Sequence, residues 1–218
     1  MENHVSQKQI IYGIISIIVV FGLLFGVYQL VNKEPIYSEI NQISSTDHLK
    51  WSNEKKNILV EYSDFQCPAC KSFHELLKSF ESSKSAEFAI TKKITLIFRQ
   101  FPLYQIHSNA YEPAYAAEAA GKQNKFYEMA DLLYAKQDEW AKESDLQGYF
   151  LKLAEKLNLN LEEFKKDIKS EEIKKKVTQD LASGESAGIN ATPTFFLNGK
   201  KLTIESIDNF VAILKTIK

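Results

Sequence analysis

The chain has 218 residues, with 27 lysines and arginines set against 28 aspartates and glutamates, a balance that argues against a nucleic-acid or strongly acidic partner. Charged residues still make up 25% of a chain with a greasy N-terminus, which fits a globular body rather than a polytopic membrane protein. There are only two cysteines, Cys67 and Cys70. That is too few for a disulfide-stapled scaffold, and a zinc site would have to recruit His74 and one more ligand.

In chain order, residues 1–9 form a short polar tail, and Ile10 to Val31 is an uncharged apolar run bracketed by Lys8 and Lys33. About 20 apolar residues cross a bilayer as a helix. A cleavable signal peptide has a shorter core followed by a small-residue cut site, which Val27–Asn32 lacks. The run therefore reads as a transmembrane signal anchor. Lys8 and Lys33 nearly cancel under the positive-inside rule; the expected orientation keeps the tail in the cytoplasm and the body outside. Residues 32–45, polar and carrying Pro35, read as a linker.

Ile58–Tyr62 has the apolar density of a buried strand. Ser63–Gln66 turns the chain into Cys67-Pro68-Ala69-Cys70, and Phe73, Leu76, Leu77 and Phe80 recur at helical spacing as far as about Ser82. Pro68 suits the first turn of that helix, where its missing N–H costs nothing. Ile94–Phe98 is a second strand, closed by Phe101-Pro102-Leu103. A helical block follows at about 107–183, with segments Tyr115–Ala120, Phe126–Ala135, Leu146–Leu157 and Leu161–Leu181. Strand signals return at Thr194–Leu197, then the hairpin turn Asn198-Gly199, a partner strand Lys201–Thr203, and a helix through Ile204, Ile207, Phe210, Val211 and Leu214. The β-α-β start makes its two strands parallel and the hairpin adds antiparallel ones. The fold class is thus α/β: a thioredoxin-type mixed central sheet flanked by helices, with an inserted helical subdomain and one N-terminal transmembrane helix.

A Cys-x-x-Cys pair at a strand-to-helix junction places its first sulfur over free backbone N–H groups and the positive end of the helix dipole. Such a setting lowers a thiol pKa from about 8.5 to between 3.5 and 7.5. Cys67 is therefore expected to be the exposed sulfur that forms mixed disulfides, and Cys70, one turn in, the buried resolving thiol. Phe65, Pro68 and Ala69 are candidates to line the substrate groove. Thr192-Pro193 before a strand is a candidate cis bond, which would leave backbone groups free for an extended substrate. Glu61, a carboxylate within an apolar strand, is expected to have a raised pKa and to exchange a proton with Cys70; the alternative is an edge glutamate facing water. His74, one turn after Cys70, is read as a solvent-facing helix residue, the alternative being that it tunes the site; His107 is expected to enter a helix, and His48 has no visible partner. Glu162–Lys176 reads as a solvated helix face with i,i+4 pairs.

The run Val60-Glu61-Tyr62-Ser63-Asp64-Phe65-Gln66-Cys67-Pro68-Ala69-Cys70, with Thr192-Pro193-Thr194-Phe195-Phe196-Leu197-Asn198-Gly199 and Phe98–Leu103, resembles the DsbA-like thioredoxin family, in its membrane-anchored BdbD-like branch. The likeness covers about Asp47 to the C-terminus. It implies oxidation of thiols in unfolded exported proteins, at a cell membrane with the catalytic domain outside. It also implies re-oxidation by a DsbB/BdbC-type membrane quinone reductase, and no cofactor besides a redox-active Cys67–Cys70 disulfide. By position Pro193 matches the family's cis-proline, Thr192 the residue preceding it, and Glu61 the buried acid beneath the dithiol. Ala69 departs from the strongly oxidising members, which have His between the cysteines, so a less oxidising couple is expected, to be read by glutathione redox titration. Two other functions compete. One is a reductase or isomerase at the same site; the other is a non-catalytic anchored binding module with a permanent disulfide.

Overall fold

The computed structural model describes residues 7–31, 35–82 and 86–217. It divides into two units, Met1–Pro35 and Ile36–Lys218. In the first, helix α1 spans Gln7–Val31, and the side chains described consecutively along it, at 12–28, are exposed. Among the described residues no helix is long and apolar enough to cross a membrane.

The second unit is built on a five-stranded sheet of order β1-β3-β2-β4-β5. Its strands are β1 (His48–Trp51), β2 (Asn57–Ser63), β3 (Ile94–Gln100), β4 (Thr194–Leu197) and β5 (Lys200–Lys201). β2 and β3 pair in parallel, Val60 opposite Ile97, and all other pairings are antiparallel. β3 is buried throughout and β2 from Ile58 onward, as strands covered on both faces should be. Alternation sorts β2 by face: Ile58, Val60 and Tyr62 join Ile97, Phe101, Leu181 and Phe196, while Leu59 joins Leu77, Phe80, Ile90, Phe195 and Phe210. Glu61 and Ser63 therefore share the face of Leu59.

That face is covered by α2 (Pro68–Ser82), α3 (Ala86–Lys93) and α10 (Ile207–Lys215). The buried stripe of α2 is Cys70, His74, Leu77 and Phe80, the i, i+4, i+7 spacing of an amphipathic helix. Between β3 and β4 come α4 (Tyr111–Gly121), α5 (Phe126–Ala135), α6 (Gln137–Trp140), α7 (Leu146–Lys156), α8 (Leu161–Asp167) and α9 (Glu171–Ser186). Their apolar faces meet at Met129, Leu133, Trp140, Phe150 and Phe164, in a cluster that also takes in Phe65, Cys67, Cys70 and Phe98. The inserted helices thus share one core with the dithiol. Each large side chain so buried contributes about 1.5–3 kcal/mol.

Several expectations are corrected. The linker ends early: Ile40 is 2% exposed in the core, Ile36 bridges to Lys200, and Tyr37 N donates to Gly199 O at 2.8 Å. β1 and α3 were not foreseen. The single helix expected at 161–181 is two, because Ser170 caps α9 by accepting from Ile173 N at 3.3 Å with Glu171 and Glu172 in the first turn. Lys176 is not on a solvated face but is buried against Asp180. The partner strand of the closing hairpin is only Lys200–Lys201.

Candidate active site

The dithiol stands where β2 gives way to α2. Backbone closure of the turn, Cys67 N donating to Asp64 O at 3.1 Å, sets Cys67 before the first residue of the helix. The Asp64 carboxylate, buried, is the anchor of this loop. It accepts from Gln66 N (2.7 Å), Leu103 N (2.7 Å) and the His107 ring at Nδ1 (2.8 Å). Gln66 in turn accepts from Asn109 N at 2.8 Å. On the opposite side the buried Gln137 amide, at the start of α6, donates to Phe65 O (2.7 Å) and Cys67 O (3.0 Å). The inserted helices therefore hold the active-site loop by its carbonyls.

The two sulfurs are free thiols in very different settings. Cys70 is fully buried, and burial, followed by the neighbouring Cys67, pushes its thiol well above the ordinary value. Cys67 is lowered from 9.0 to about 6. The hydrogen bond from Cys70 contributes most, burial opposes it, and Thr192 and the backbone N–H groups of Cys70 and Ala69 add to the lowering. The direction agrees with the expectation from sequence, but the partner thiol outweighs the helix-start N–H groups as its cause. Cys67 is nevertheless less open than expected, at 7% exposure. Its Sγ lies 3.4 Å from Thr192 O, and Gln137 closes the carbonyl side.

Thr192–Pro193 is a cis peptide bond, and it brings Thr192 over the sulfur. The Thr192 hydroxyl is buried and, among the described residues, otherwise without a partner, which leaves it as a donor to a Cys67 anion. Pro68 and Ala69 are exposed on the rim. Phe65 does not line a groove: it is 1% exposed and stacks on Phe98 at 5.1 Å between ring centroids, with Tyr134 at 4.9 Å. Its place in the strand-to-loop turn directs the ring into the shared core.

Glu61 is 2% exposed, so it is not an edge residue facing water. Burial raises its carboxyl from 4.5 to about 7, against a hydrogen bond from Ser63, with the Cys67 charge adding to the rise. Its Oε1 has no hydrogen-bond partner among the described residues.

The histidines depart from expectation. His74 is buried and bonded through Nε2 to Asp131 Oδ1 at 2.8 Å. His107 lies in the loop before α4, held by Asp64. His48 meets Glu118 at 2.8 Å and stacks on Phe126. Among the described residues no group of three or more His, Cys, Asp or Glu side chains could hold a metal ion. Gln137 and the Asp64–His107 pair went unread in the sequence, since each acts across 43 or more positions. His74 could have been found, because it lies four residues after Cys70 on the stripe of Leu77 and Phe80. A cavity of about 480 Å³ lies elsewhere, lined by His48, Glu118, Lys122, Glu172, Lys176 and Gln179 among others.

A low-pKa thiol over a helix start, a buried partner thiol and a cis-proline loop stand together on a thioredoxin fold, the arrangement that thiol–disulfide exchange requires. The family model described as Thioredoxin matches residues 45–216, and the chain belongs to that family. Among solved structures it is similar to oxidised BdbD from Bacillus subtilis, with a TM-score of 0.68 and 19% identity over 85% of this chain and 98% of that one. It is also similar to α-DsbA1 from Wolbachia pipientis, with a TM-score of 0.67 and 23% identity over 83% and 95%. Among curated proteins it resembles Na(+)/H(+) antiporter NhaA 1 of Salinispora arenicola, 35% identical over 71% of this chain. The chain spans only 22% of that relative's length.

Proposed function

We propose that the protein is a membrane-anchored thiol–disulfide oxidoreductase, of the BdbD-like branch, that introduces disulfides into exported proteins outside the cytoplasm. The observation that carries the reading is the contrast between the two sulfurs, Cys67 lowered to about 6 and Cys70 raised. In the oxidised form a substrate thiolate attacks Cys67 Sγ, the Cys67–Cys70 bond breaks, and Cys70 leaves with the electron pair and takes a proton. A second substrate thiolate then attacks the substrate sulfur of the mixed disulfide and expels Cys67 as a thiolate. A low pKa makes Cys67 the better leaving group, which favours oxidation of the substrate. Two electrons end on the pair; a DsbB/BdbC-type quinone reductase in the membrane is the proposed acceptor. Thr192 and Pro193 contact the substrate backbone, with Pro68 and Ala69 at the rim of the groove. No cofactor besides the disulfide itself takes part. The apolar run at 10–31 serves as the anchor, with the tail 1–9 in the cytoplasm. Sodium–proton exchange, named for the longer relative, is no part of the proposal.

Exchange of Cys70 for Ser should accumulate disulfide-linked adducts of Cys67 with cell-envelope proteins, and exchange of Cys67 for Ser should abolish them; adducts independent of Cys67 reject the mechanism. Thiol alkylation in cells reads direction. The pair should be oxidised during quinone-dependent respiration and become reduced without it, whereas a pair reduced under both conditions identifies a reductase.

A further inference from the structure

Beneath the dithiol a cavity of about 10 Å³ is lined by Lys50, Glu61, His74, Lys78, Glu81 and Tyr127, closed by Leu77, Leu96 and Phe98. That is about the room one water molecule occupies. Glu61, whose Oε1 is unpartnered among the described residues, lines this space, and a buried polar group next to such a space is where bridging water is found. Ser63 joins Glu61 to the sulfurs. Two residues along the same strand face, its hydroxyl stabilises the anion at Glu61 and at Cys70, and it is bonded to Tyr134 at 3.0 Å.

From His74 to Asp131 exposure rises. The His74 side chain is 10% exposed, Asp131 24%. The His74 ring is fixed by Asp131 and rests 4.6 Å from Tyr134. Lys78 holds the other Asp131 oxygen at 2.6 Å, and Lys50 is paired with Glu81 at 2.7 Å. The charged and titratable groups around Glu61 are therefore Lys50 on β1, His74, Lys78 and Glu81 on α2, Tyr127, Asp131 and Tyr134 on α5, and the two cysteines. Among the nitrogen groups lining the cavity, only the imidazole can accept on one nitrogen while donating on the other; ammonium groups only donate.

We propose that His74, held by Asp131, is a positioning residue that passes the Cys70 proton between Glu61 and solvent through this cavity. The proposal rests on the dithiol-exchange reading and adds the route of the proton. In the resolving step the Cys70 thiol gives its proton to Glu61 by way of Ser63. The thiolate attacks Cys67 Sγ of a mixed disulfide, the Cys67–Cys70 bond forms, and the partner leaves as a thiolate with the electron pair. Glu61 then discharges its proton through the water-sized space to His74 and out. The reverse step supplies a proton to departing Cys70 when a substrate attacks.

The test uses the reduced full chain and Ellman's reagent, dithiobis(nitrobenzoate). Release of the first nitrothiobenzoate reports attack by Cys67, and release of the second reports closure by Cys70. Near neutral pH, His74→Gln should leave the first release unchanged and slow the second by about tenfold. Glu61→Gln should slow the second by about a hundredfold, and the double variant should be no slower than Glu61→Gln. The His74→Gln defect should shrink as pH rises and hydroxide takes the proton directly. Equal slowing at every pH, or multiplicative effects in the double variant, overturns the relay. If His74→Gln disturbs the first release, Asp131→Asn, which frees the ring without removing it, is read in its place by the same criteria. Loss of the first release in the unaltered chain instead rejects Cys67 as the nucleophile, so the two failures are distinct.

Discussion

Glu61 holds its proton to about pH 7, where a solvated glutamate would release it near 4.5. Between those values the folded chain keeps a proton that the unfolded chain has lost, so stability falls as pH rises. The contribution is complete below the unfolded value and gone above about 7. With the carboxyl buried, the difference amounts to about 3 kcal/mol. In a Cys67→Ser background, which removes the thiolate, Glu61→Gln should lessen the fall in urea-unfolding stability between pH 5 and 8.5 by about 3 kcal/mol relative to the parent, leaving the smaller fall due to buried Asp180. An equal slope in both would show that Glu61 is ionised and solvated in the folded state.

At the scale of elements, α9 is fitted closely to the sheet. A Cβ on Gly184 would stand 2.6 Å from the Phe101 ring and 3.1 Å from Tyr62. Gly184→Ala should gain about 1 kcal/mol in helix propensity and lose about 1–3 kcal/mol to overpacking, for a net loss of stability on urea unfolding; a gain would mean that the two rings retreat freely. The strands and helices legible in the sequence were those with their own repeating signal. β2, β3, β4 and α2 carry enough buried apolar residues to declare type and extent. β1 is four residues long, all of them half-buried, and exists because Arg99 ties its approach to β3. That guanidinium donates to Asp47 Oδ2 at 2.9 Å, Ile40 O at 3.0 Å and Gln42 O at 2.8 Å. No local pattern announces contacts across more than 50 positions. In the site, Cys67, Cys70, Glu61, Thr192 and Pro193 were readable from motif and strand context and are brought together. Phe65 was misread because nearness in sequence to Cys67 says nothing about which way a ring turns.

Across the whole molecule, residues from Ile36 onward make their own core, sheet and site. A chain starting at Ile36 should therefore fold and keep a Cys67 alkylation profile with its inflection near pH 6. The full chain should in addition sediment with membranes and resist carbonate extraction, while the shortened one remains in the supernatant. Release of the full chain by carbonate would remove the anchor from the proposal, and a shifted alkylation inflection in the shortened chain would show that the first 35 residues shape the site.

The hairpin turn at Asn198 and Gly199, both at positive φ, sits where β2 begins: Asn198 N donates to Ile58 O at 2.9 Å. Tyr37 fastens to Gly199 at the same pole, while the dithiol lies past the other end of β2, roughly 20 Å along the strand. The attachment of Ile36 and Tyr37 and the reactive sulfur thus stand at opposite ends of one strand.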